Sequence, residues 1–522
     1  MGIMIEKIRL QNYKRFHNYT IRPNPRINIL IGDNEVGKSS ILEAIDLVAS
    51  GNMRRLEATG IDKLLNVDAV KSFCAGSRTI KDLPIMRIEL YLQGQFDHTM
   101  NGKNNTDRRI CDGIRLVCEP NIDYASEIKD ALDANNEYFP YEYYTARFST
   151  FADEPYTGYK RKLRSIIIDS ARMSTEYATT DFVRRMYLQY TESNEKERAF
   201  HKSKYRQMRT SFQAESLQSL NERVPHDKNY TFGLKSGSSM DLESDLMIYE
   251  DEVGIDSKGT GKQVFIKTDF ALERSGENVD VILIEEPENH LSPVNLRRLV
   301  HRVSSAKESQ LFITTHNSLI STRLEIKNLL IMHHESDKSP IMLSDLQEDT
   351  ARYFAKTPPA SIVEYVLANK AFLVEGPAEY MLMEKFYKAC TGGATPEDDD
   401  VHVIDVRGLS FKRYLEISKL TGSKVAVITD NDKDYQKHCI EKYKDYSNDE
   451  NINIFYDEDN SKWTFEIILQ ACNVALCSEL FGENAVTYML NNKTEAAFKL
   501  LMQDKPITIP EYIKRAIQWI RE

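Results

Sequence analysis

Apolar and polar positions alternate along this chain in two rhythms, and the rhythms divide it into blocks. Residues 27–31 (INILI) are apolar without a sustained break, as a buried strand requires. A glycine-bearing turn follows, then a run from near Ser39 that carries Ile41, Leu42, Ala44, Ile45 and Leu47 at helical spacing. Residues 86–92 (MRIELYL) alternate, which is the period of a half-exposed strand. From about 156 to 223 no strand pattern survives, aromatic and basic residues increase, and an inserted helical arm is predicted. Strands return at 279–284 and 311–315, with a helix over 293–305 between them. The polar stretch containing Pro340, Pro358 and Pro359 predicts a linker over 336–360. A second block then runs strand 371–375, helix 378–390, acidic loop 394–400, strand 401–406, helix 409–420 and strand 424–429. The predicted class is α/β, with one domain over 1–335 that contains the arm and another over 361–522.

Composition narrows this further. A chain of 522 residues with 41% hydrophobic and 28% charged residues has enough apolar material for a sizeable core, so wholesale disorder is excluded. The net charge of −11 excludes a general polycation, so any DNA contact must be local or metal-mediated. Residues 160–209 run against the trend, with thirteen Lys/Arg against six Asp/Glu. That run reads as the solvated face of the arm, with a DNA-facing or partner-facing arm as the alternative. Seven cysteines without a C-x-x-C give neither a disulfide framework nor a zinc ribbon, which fits a reducing cytoplasm. The N-terminus lacks a basic segment followed by a long apolar one, and the longest apolar runs are strand-length. The expectation is a cytoplasmic protein without a membrane segment.

Chemistry enters at Gly32-Asp33-Asn34-Glu35-Val36-Gly37-Lys38-Ser39-Ser40, which matches G-x-x-x-x-G-K-[ST] between a strand and a helix. The glycines let backbone N–H groups curl round a phosphate, Lys38 neutralises its oxygens, and the Ser39 hydroxyl is placed to ligate Mg²⁺. The strand at 281–284 runs into Glu285-Glu286-Pro287-Glu288. A carboxylate at a strand end can hold the metal's water shell and its neighbour can polarise a water, so Glu285 is assigned the metal and Glu286 the base. The strand at 311–315 delivers His316 to a strand end, where an imidazole can sense a γ-phosphate. Ser257-Lys258-Gly259-Thr260-Gly261-Lys262-Gln263, before the Glu-Glu strand, is on its own a flexible loop.

The second block carries a different constellation. Its first strand ends in Glu375-Gly376-Pro377-Ala378-Glu379, and its third ends in Asp430-Asn431-Asp432. Acids at the C-terminal ends of adjacent parallel strands converge on one crevice. On an extended segment Asp430 and Asp432 point the same way, and such oxygens repel unless a hard cation, Mg²⁺ or Mn²⁺, binds between them. Two such ions would clamp the attacking and leaving oxygens of a phosphodiester. The run Glu397-Asp398-Asp399-Asp400 reads instead as a solvated loop, because consecutive carboxylates on a turn are not preorganised.

The first constellation, over about residues 1–330, resembles an ABC-type ATPase head of the SMC and RecF-like branch, with Glu285 where many relatives carry Asp. In that branch the Ser-x-Gly-x-Gly element contacts nucleotide bound to the opposing subunit. The resemblance therefore implies ATP contacts from Ser257, Gly259 and Gly261, and at least a homodimer. The second constellation looks like a Toprim domain, and the order of the two resembles the OLD (overcoming lysogenization defect) family of nucleases, which includes Gabija-type and retron-associated antiphage effectors. That resemblance implies further site residues in Thr464-Phe465-Glu466 and at Lys493. Glu375, Glu379, Asp430, Asp432 and Glu466 would hold two divalent ions, and Lys493 would stabilise charge on the scissile phosphate. It also implies DNA as substrate and a helicase or a retron reverse transcriptase with its msDNA as neighbouring partner. The rivals are a RecF-like repair ATPase without nuclease activity and an ATP-gated clamp on DNA or a partner.

Overall fold

The computed structural model describes residues 3–94, 97–134, 139–157, 162–169, 176–191, 194–224, 231–234, 242–273, 279–305, 309–333, 338–356, 362–408 and 410–522. The chain divides into two compact units. The first comprises Met1–His316 and Met332–Pro340, and the second Asn317–Ile331 and Ile341–Glu522.

The first unit is built on two sheets. Strands β1 (Met4–Tyr13), β2 (Phe16–Ile21), β4 (Met86–Gln93), β5 (Cys111–Pro120) and β6 (Tyr144–Thr150) pair antiparallel in the order β2-β1-β4-β5-β6. The other sheet contains four parallel strands in the order β3 (Ile27–Ile31), β9 (Gln310–Thr314), β8 (Val281–Glu285) and β7 (Ser165–Asp169). β3 and β9 are buried at every position, as parallel strands covered on both faces must be. Helix α1 (Lys38–Ser50) presents Ile41, Leu42, Ala44, Ile45, Leu47 and Val48 to the interior.

β7 corrects the reading of 156–223 as purely helical. The triplet Ile166-Ile167-Ile168 lies within the basic run, whose charge masks it, and it pairs residue for residue with β8. The helical part of the arm consists chiefly of α2 (Glu176–Tyr190) and α3 (Glu195–Ser216), and α3 buries none of its side chains. The arm is anchored to α1 through Asp46, which is fully buried. Arg185 of α2 donates to it at 2.8 Å, Ser165 of β7 at 3.1 Å, and Arg55 forms an ion pair with it. Burial alone would push this carboxyl up, but the Arg185 and Arg55 guanidiniums hold it far below the usual carboxylate range.

The second unit is a four-stranded parallel sheet in the order β11 (Val401–Asp405), β10 (Lys370–Val374), β12 (Lys424–Ile428) and β13 (Ile452–Phe455). The first strand in sequence stands between the second and third, so strand order reverses there and a crevice opens at the strands' C-terminal ends. Phe372, Val374, Ala426 and Ile428 share a core with Leu382 and Phe386 of helix α7 (Pro377–Thr391) and with Ile513 and Ile517 of helix α11 (Glu511–Arg521). α11 buries Tyr512, Ile513, Ala516, Ile517 and Ile520, one helical stripe, and each buried isoleucine contributes about 1.5–3 kcal/mol.

The stretch predicted as a linker over 336–360 also needs correcting. It carries the strand Ile341–Met342 and helix α6 (Glu348–Lys356), whose Ala351 and Phe354 are buried. The ring of Phe354 meets Tyr414 of helix α8 (Phe411–Thr421) edge-on at 5.1 Å, and Tyr353 donates to Ser410 at 2.8 Å. Charged residues on the outer face of one short amphipathic helix gave the segment its polar look. Pro358 and Pro359 lie outside the described residues.

Candidate functional site

The nucleotide site begins where β3 ends. Gly32 has φ +156°, and a Cβ there would come within 2.8 Å of Val36 and 3.0 Å of the Met332 carbonyl oxygen. Gly37, at φ +95°, caps α1, and a Cβ there would stand 2.5 Å from the ring of Phe16. Only glycine fits either position, so the backbone closes into a cradle whose N–H groups lead into the N-terminus of α1. Lys38 is buried and donates to the carbonyls of Gly32 and Asp33, both at 2.8 Å. Desolvation lowers its pKa, an effect opposed by Glu286, Asp33 and Glu288. Asn34 and Ser39 are exposed on the cradle's open side and Ser40 is half-buried.

The ends of the adjacent strands β8 and β9 complete this site. Glu285 closes β8 half-buried. Glu286 adopts the left-handed conformation (φ +39°), and its N–H donates to the Thr314 carbonyl at 3.0 Å. That turn aims its carboxylate at Asn289, 2.7 Å away, and toward His316 Nε2 at 3.9 Å. His316 is exposed. Glu288, which sequence reasoning left unassigned, accepts from the Thr315 hydroxyl at 2.6 Å and the His316 N–H at 2.7 Å. It therefore fixes the loop that carries His316. The fragment Ser257–Lys258 is tied down separately, because Lys258 and Lys262 both pair with Glu250, at 2.6 and 2.8 Å. Ser257 and Gly259 are thereby left exposed, and Gly261 is half-buried at the start of helix α4 (Thr260–Glu273).

In the second unit the structure brings together the carboxylates expected there. Glu375 follows β10, Glu379 is in the first turn of α7, Asp430 follows β12, and Glu466 opens helix α9 (Phe465–Cys472). Glu379, Asp430 and Glu466 are buried. Burial is the largest effect on three of them. It pushes Glu379 up to about 8, reinforced by Glu466 and Glu375, and it raises Asp430, reinforced by Glu375, Glu379 and Glu466. Glu375 rises likewise, with Asp432 adding to the effect. The Phe465 N–H donates to Asp430 Oδ1 at 2.8 Å, which ties β12 to the start of α9. Lys493, first residue of helix α10 (Lys493–Leu501), reaches Glu466 Oε2 at 3.1 Å. Burial disfavours its charge, but Glu466, Asp430 and Glu379 outweigh burial and its pKa is raised.

Asp432 differs from the expectation of an extended Asp430–Asp432 segment. It is exposed at φ +49° while Asp430 is buried. The cause is Asn431, whose buried amide donates to the carbonyls of Asp457, Asp459 and Lys462 at 2.8, 3.1 and 3.3 Å. Drawing that side chain inward turns the backbone left-handed, so Asp432 approaches the crevice from its rim. Lys442 is a second residue the sequence did not disclose. It is half-buried, and its charge, disfavoured by burial, is supported by Glu375 and Asp432.

The donor set suits a hard cation. All donors are carboxylate oxygens, and Glu375 Oε2 is buried without a hydrogen-bond partner. Among the described residues, no three His, Cys, Asp or Glu side chains already enclose a metal position. In the acidic loop, Asp398 accepts from the Thr395 N–H and Asp399 accepts from Tyr387 and Arg521, so part of a run expected to be solvated is tied to the protein. Among the described residues, no helix is long and apolar enough to cross a membrane.

Comparison with known proteins agrees with this division. A family model described as "Overcoming lysogenization defect protein-like, TOPRIM domain" matches residues 366–432. An "AAA ATPase domain" model matches residues 4–236, and one for an "AAA domain, putative AbiEii toxin, Type IV TA system" matches residues 165–322. The DNA replication and repair protein RecF of Idiomarina loihiensis is 42% identical over 53 residues, 10% of this chain and 15% of that protein. RecF of Alkaliphilus oremlandii is 24% identical over 115 residues, 19% of this chain and 31% of that protein. The chain thus spans less than a third of the length of these relatives. A solved Smc head domain with an extended coiled coil, from Pyrococcus furiosus and bound to the C-terminal domain of ScpA, aligns at TM-score 0.35 and 12% identity over 66% of this chain and 97% of that one. A RecF–ATP structure aligns at TM-score 0.33 and 10% identity over 64% of this chain and 98% of that one. The chain joins an α/β ATPase domain carrying a P-loop to an OLD-like TOPRIM domain whose matched residues include Glu375, Glu379, Asp430 and Asp432.

Proposed function

We propose that this chain is a divalent-metal-dependent DNA endonuclease governed by its ATPase domain, and that it acts in bacterial defence against phage as Gabija-type or retron-associated effectors do. The observation that carries the reading is the crevice where Glu375, Glu379, Asp430 and Glu466 converge with raised pKa values or deep burial, and where Glu375 Oε2 has no donor. Carboxylates held this way await cations. Two Mg²⁺ or Mn²⁺ ions, when bound, would supply Lewis-acid polarisation of a phosphodiester. Glu375, Glu379, Asp430, Asp432 and Glu466 would hold them, and Lys493 would direct its ammonium at charge gathering on the phosphate. In the ATPase domain, Gly32, Asn34, Gly37, Lys38 and Ser40 would cradle ATP, Ser39 and Glu285 would hold its metal, Glu286 would orient and deprotonate water, and His316 would face the γ-phosphate.

A second copy of the chain would complete the nucleotide site through Ser257, Gly259 and Gly261. The exposed apolar side chains Phe200, Met208 and Phe212 on α3 support self-association through the arm. A mass measurement at micromolar concentration should give a dimer or larger, and a monomer with and without ATP would contradict this. A helicase or a reverse transcriptase with msDNA encoded nearby is the proposed working partner. The short RecF matches favour the rival reading, a repair ATPase or ATP-gated clamp that does not cut. Incubation of supercoiled plasmid with Mg²⁺ or Mn²⁺, with and without ATP, decides between them. Nicked or linear product is expected, and ATP turnover beside intact plasmid would establish the rival. Phage plating on cells that carry the chain tests the defence role.

A further inference from the structure

We infer that Trp463 and its surroundings form a stacking platform for an unpaired base beside the carboxylate crevice, so that the substrate is engaged as a single or locally opened strand. The inference rests on the nuclease reading for its biological meaning, but not for its geometry. Trp463 is half-buried, one residue before Thr464, the N-cap of α9. Its carbonyl accepts from the N–H of Asp432 at 3.3 Å, which sets the Trp463 backbone beside the rim residue Asp432. The Lys433 ammonium stands 4.4 Å from the centre of the ring.

The two segments that carry these groups are tied to each other by hydrogen bonds. Asn431 donates to the carbonyls of Asp457, Asp459 and Lys462, and the Tyr435 N–H donates to Asn460 at 3.0 Å. An aromatic pair lies on the same tied segments, with Tyr435 and Tyr456 stacked at 5.9 Å and 18° between planes. Asp432 and Lys433 are consecutive non-glycine residues in the left-handed region, at φ +49° and +72°. That conformation costs free energy, and a fold retains such strain where it places side chains that function together. Here it sets a crevice acid and an ammonium at adjacent positions, and both meet Trp463 of the facing segment, Asp432 through its N–H and Lys433 through the ring.

The chemistry that fits is a nucleotide. An indole face takes any base by stacking, and a long-stemmed ammonium can leave the ring to meet the phosphate of the same nucleotide. A base inside a duplex has both faces covered by its neighbours, so only an unpaired base can use the platform.

Trp463 and Trp519 are the chain's two tryptophans, so W519F makes Trp463 the sole indole reporter. In EDTA, where nothing is cut, a 20-mer oligothymidylate should quench its emission and a duplex of equal length should not. W463L should weaken oligothymidylate binding by about ten- to a hundredfold, and W463F should stay within about threefold of the parent. Unchanged emission on saturation with the oligomer would overturn the inference, and so would equal binding by W463F and W463L. The quenching arm needs no substitution at Trp463, so it decides even if W463L fails to fold. Metal-dependent plasmid cutting without quenching would sink the platform and leave the nuclease reading standing.

Discussion

The P-loop and the carboxylate crevice both open at the C-terminal ends of parallel strands, yet they rest in opposite electrical conditions. Lys38 is buried beside acidic residues, but two carbonyls already receive its protons. The cradle around it is made of backbone, which carries no net charge, so the site is stable before any phosphate arrives. The second crevice gathers Glu375, Glu379, Asp430 and Glu466 and answers them with Lys493 and Lys442 at its edges. Those two ammoniums leave part of the repulsion uncompensated, and the carboxyls hold protons more tightly than usual in consequence. An anion site can be built from peptide groups, whereas a site for hard cations must be built from charges that repel one another.

Substitutions can break this contrast. Asp430→Asn should produce the largest effect: loss of DNA cleavage beyond detection, with the thermal midpoint unchanged or higher. The asparagine keeps an oxygen for the Phe465 N–H while removing one repelling charge, so it isolates metal ligation better than alanine does. Plasmid cutting at the parental rate would remove Asp430 from the metal site. Glu286→Gln comes next. It should retain ATP but slow hydrolysis by about 10²–10⁴-fold, the usual worth of a positioned general base, in a phosphate-release assay. Lys38→Ala should weaken nucleotide binding by at least about tenfold and leave Mn²⁺ affinity at the other crevice unaltered. Undiminished ATP affinity by calorimetry would refute the cradle.

The smallest effect sharpens the contrast by pH. Glu379 is raised to about 8 in the folded chain, above its unfolded value near 4.5. Between these values the folded state binds the extra proton, so its contribution to stability is complete below about 4.5 and is lost as pH rises through 8. Without divalent ions, the midpoint of the second unit should fall across that window, by roughly 2–4 °C for each kcal/mol lost. Saturating Mg²⁺ should flatten the slope, because ligated carboxylates no longer need the proton. A midpoint indifferent to both variables would show that the cluster neither holds an extra proton nor binds the ion.

Much of this was legible from sequence, and the reasons differ by element. β3, α1, β8, β9 and the strands β10, β11 and β12 of the second unit announce themselves because each is a local run with its own period, whereas β13 was missed. The P-loop and the strand-end acids follow from those runs, since a motif's place between a strand and a helix is itself a local fact. β7 was missed because three isoleucines set in a basic stretch carry less weight than the charges around them. α6 was missed because its buried face is only Thr350, Ala351 and Phe354. Glu288 and Lys442 could not be read at all. Each acquires its role from partners distant in sequence, Thr315 and His316 for one and Glu375 for the other. The left-handed turn at Asp432 is of the same kind, since it depends on three carbonyls more than twenty-five residues away.

The buried Asp46 makes the arm a structural member of the ATPase domain. One carboxylate in the helix behind the P-loop takes a guanidinium from Arg55 on its own side and another from Arg185 in the arm. Cutting the chain before α2, to obtain a smaller ATPase fragment, would leave that carboxylate half-compensated in the interior, a change that commonly costs about 3–5 kcal/mol. Exchanging the arm for one from a relative would succeed only where the incoming helix brings an arginine to the same place. The arm's sequence is therefore free to vary along its solvated length and constrained at its root, where one arginine joins it to the nucleotide-binding helix.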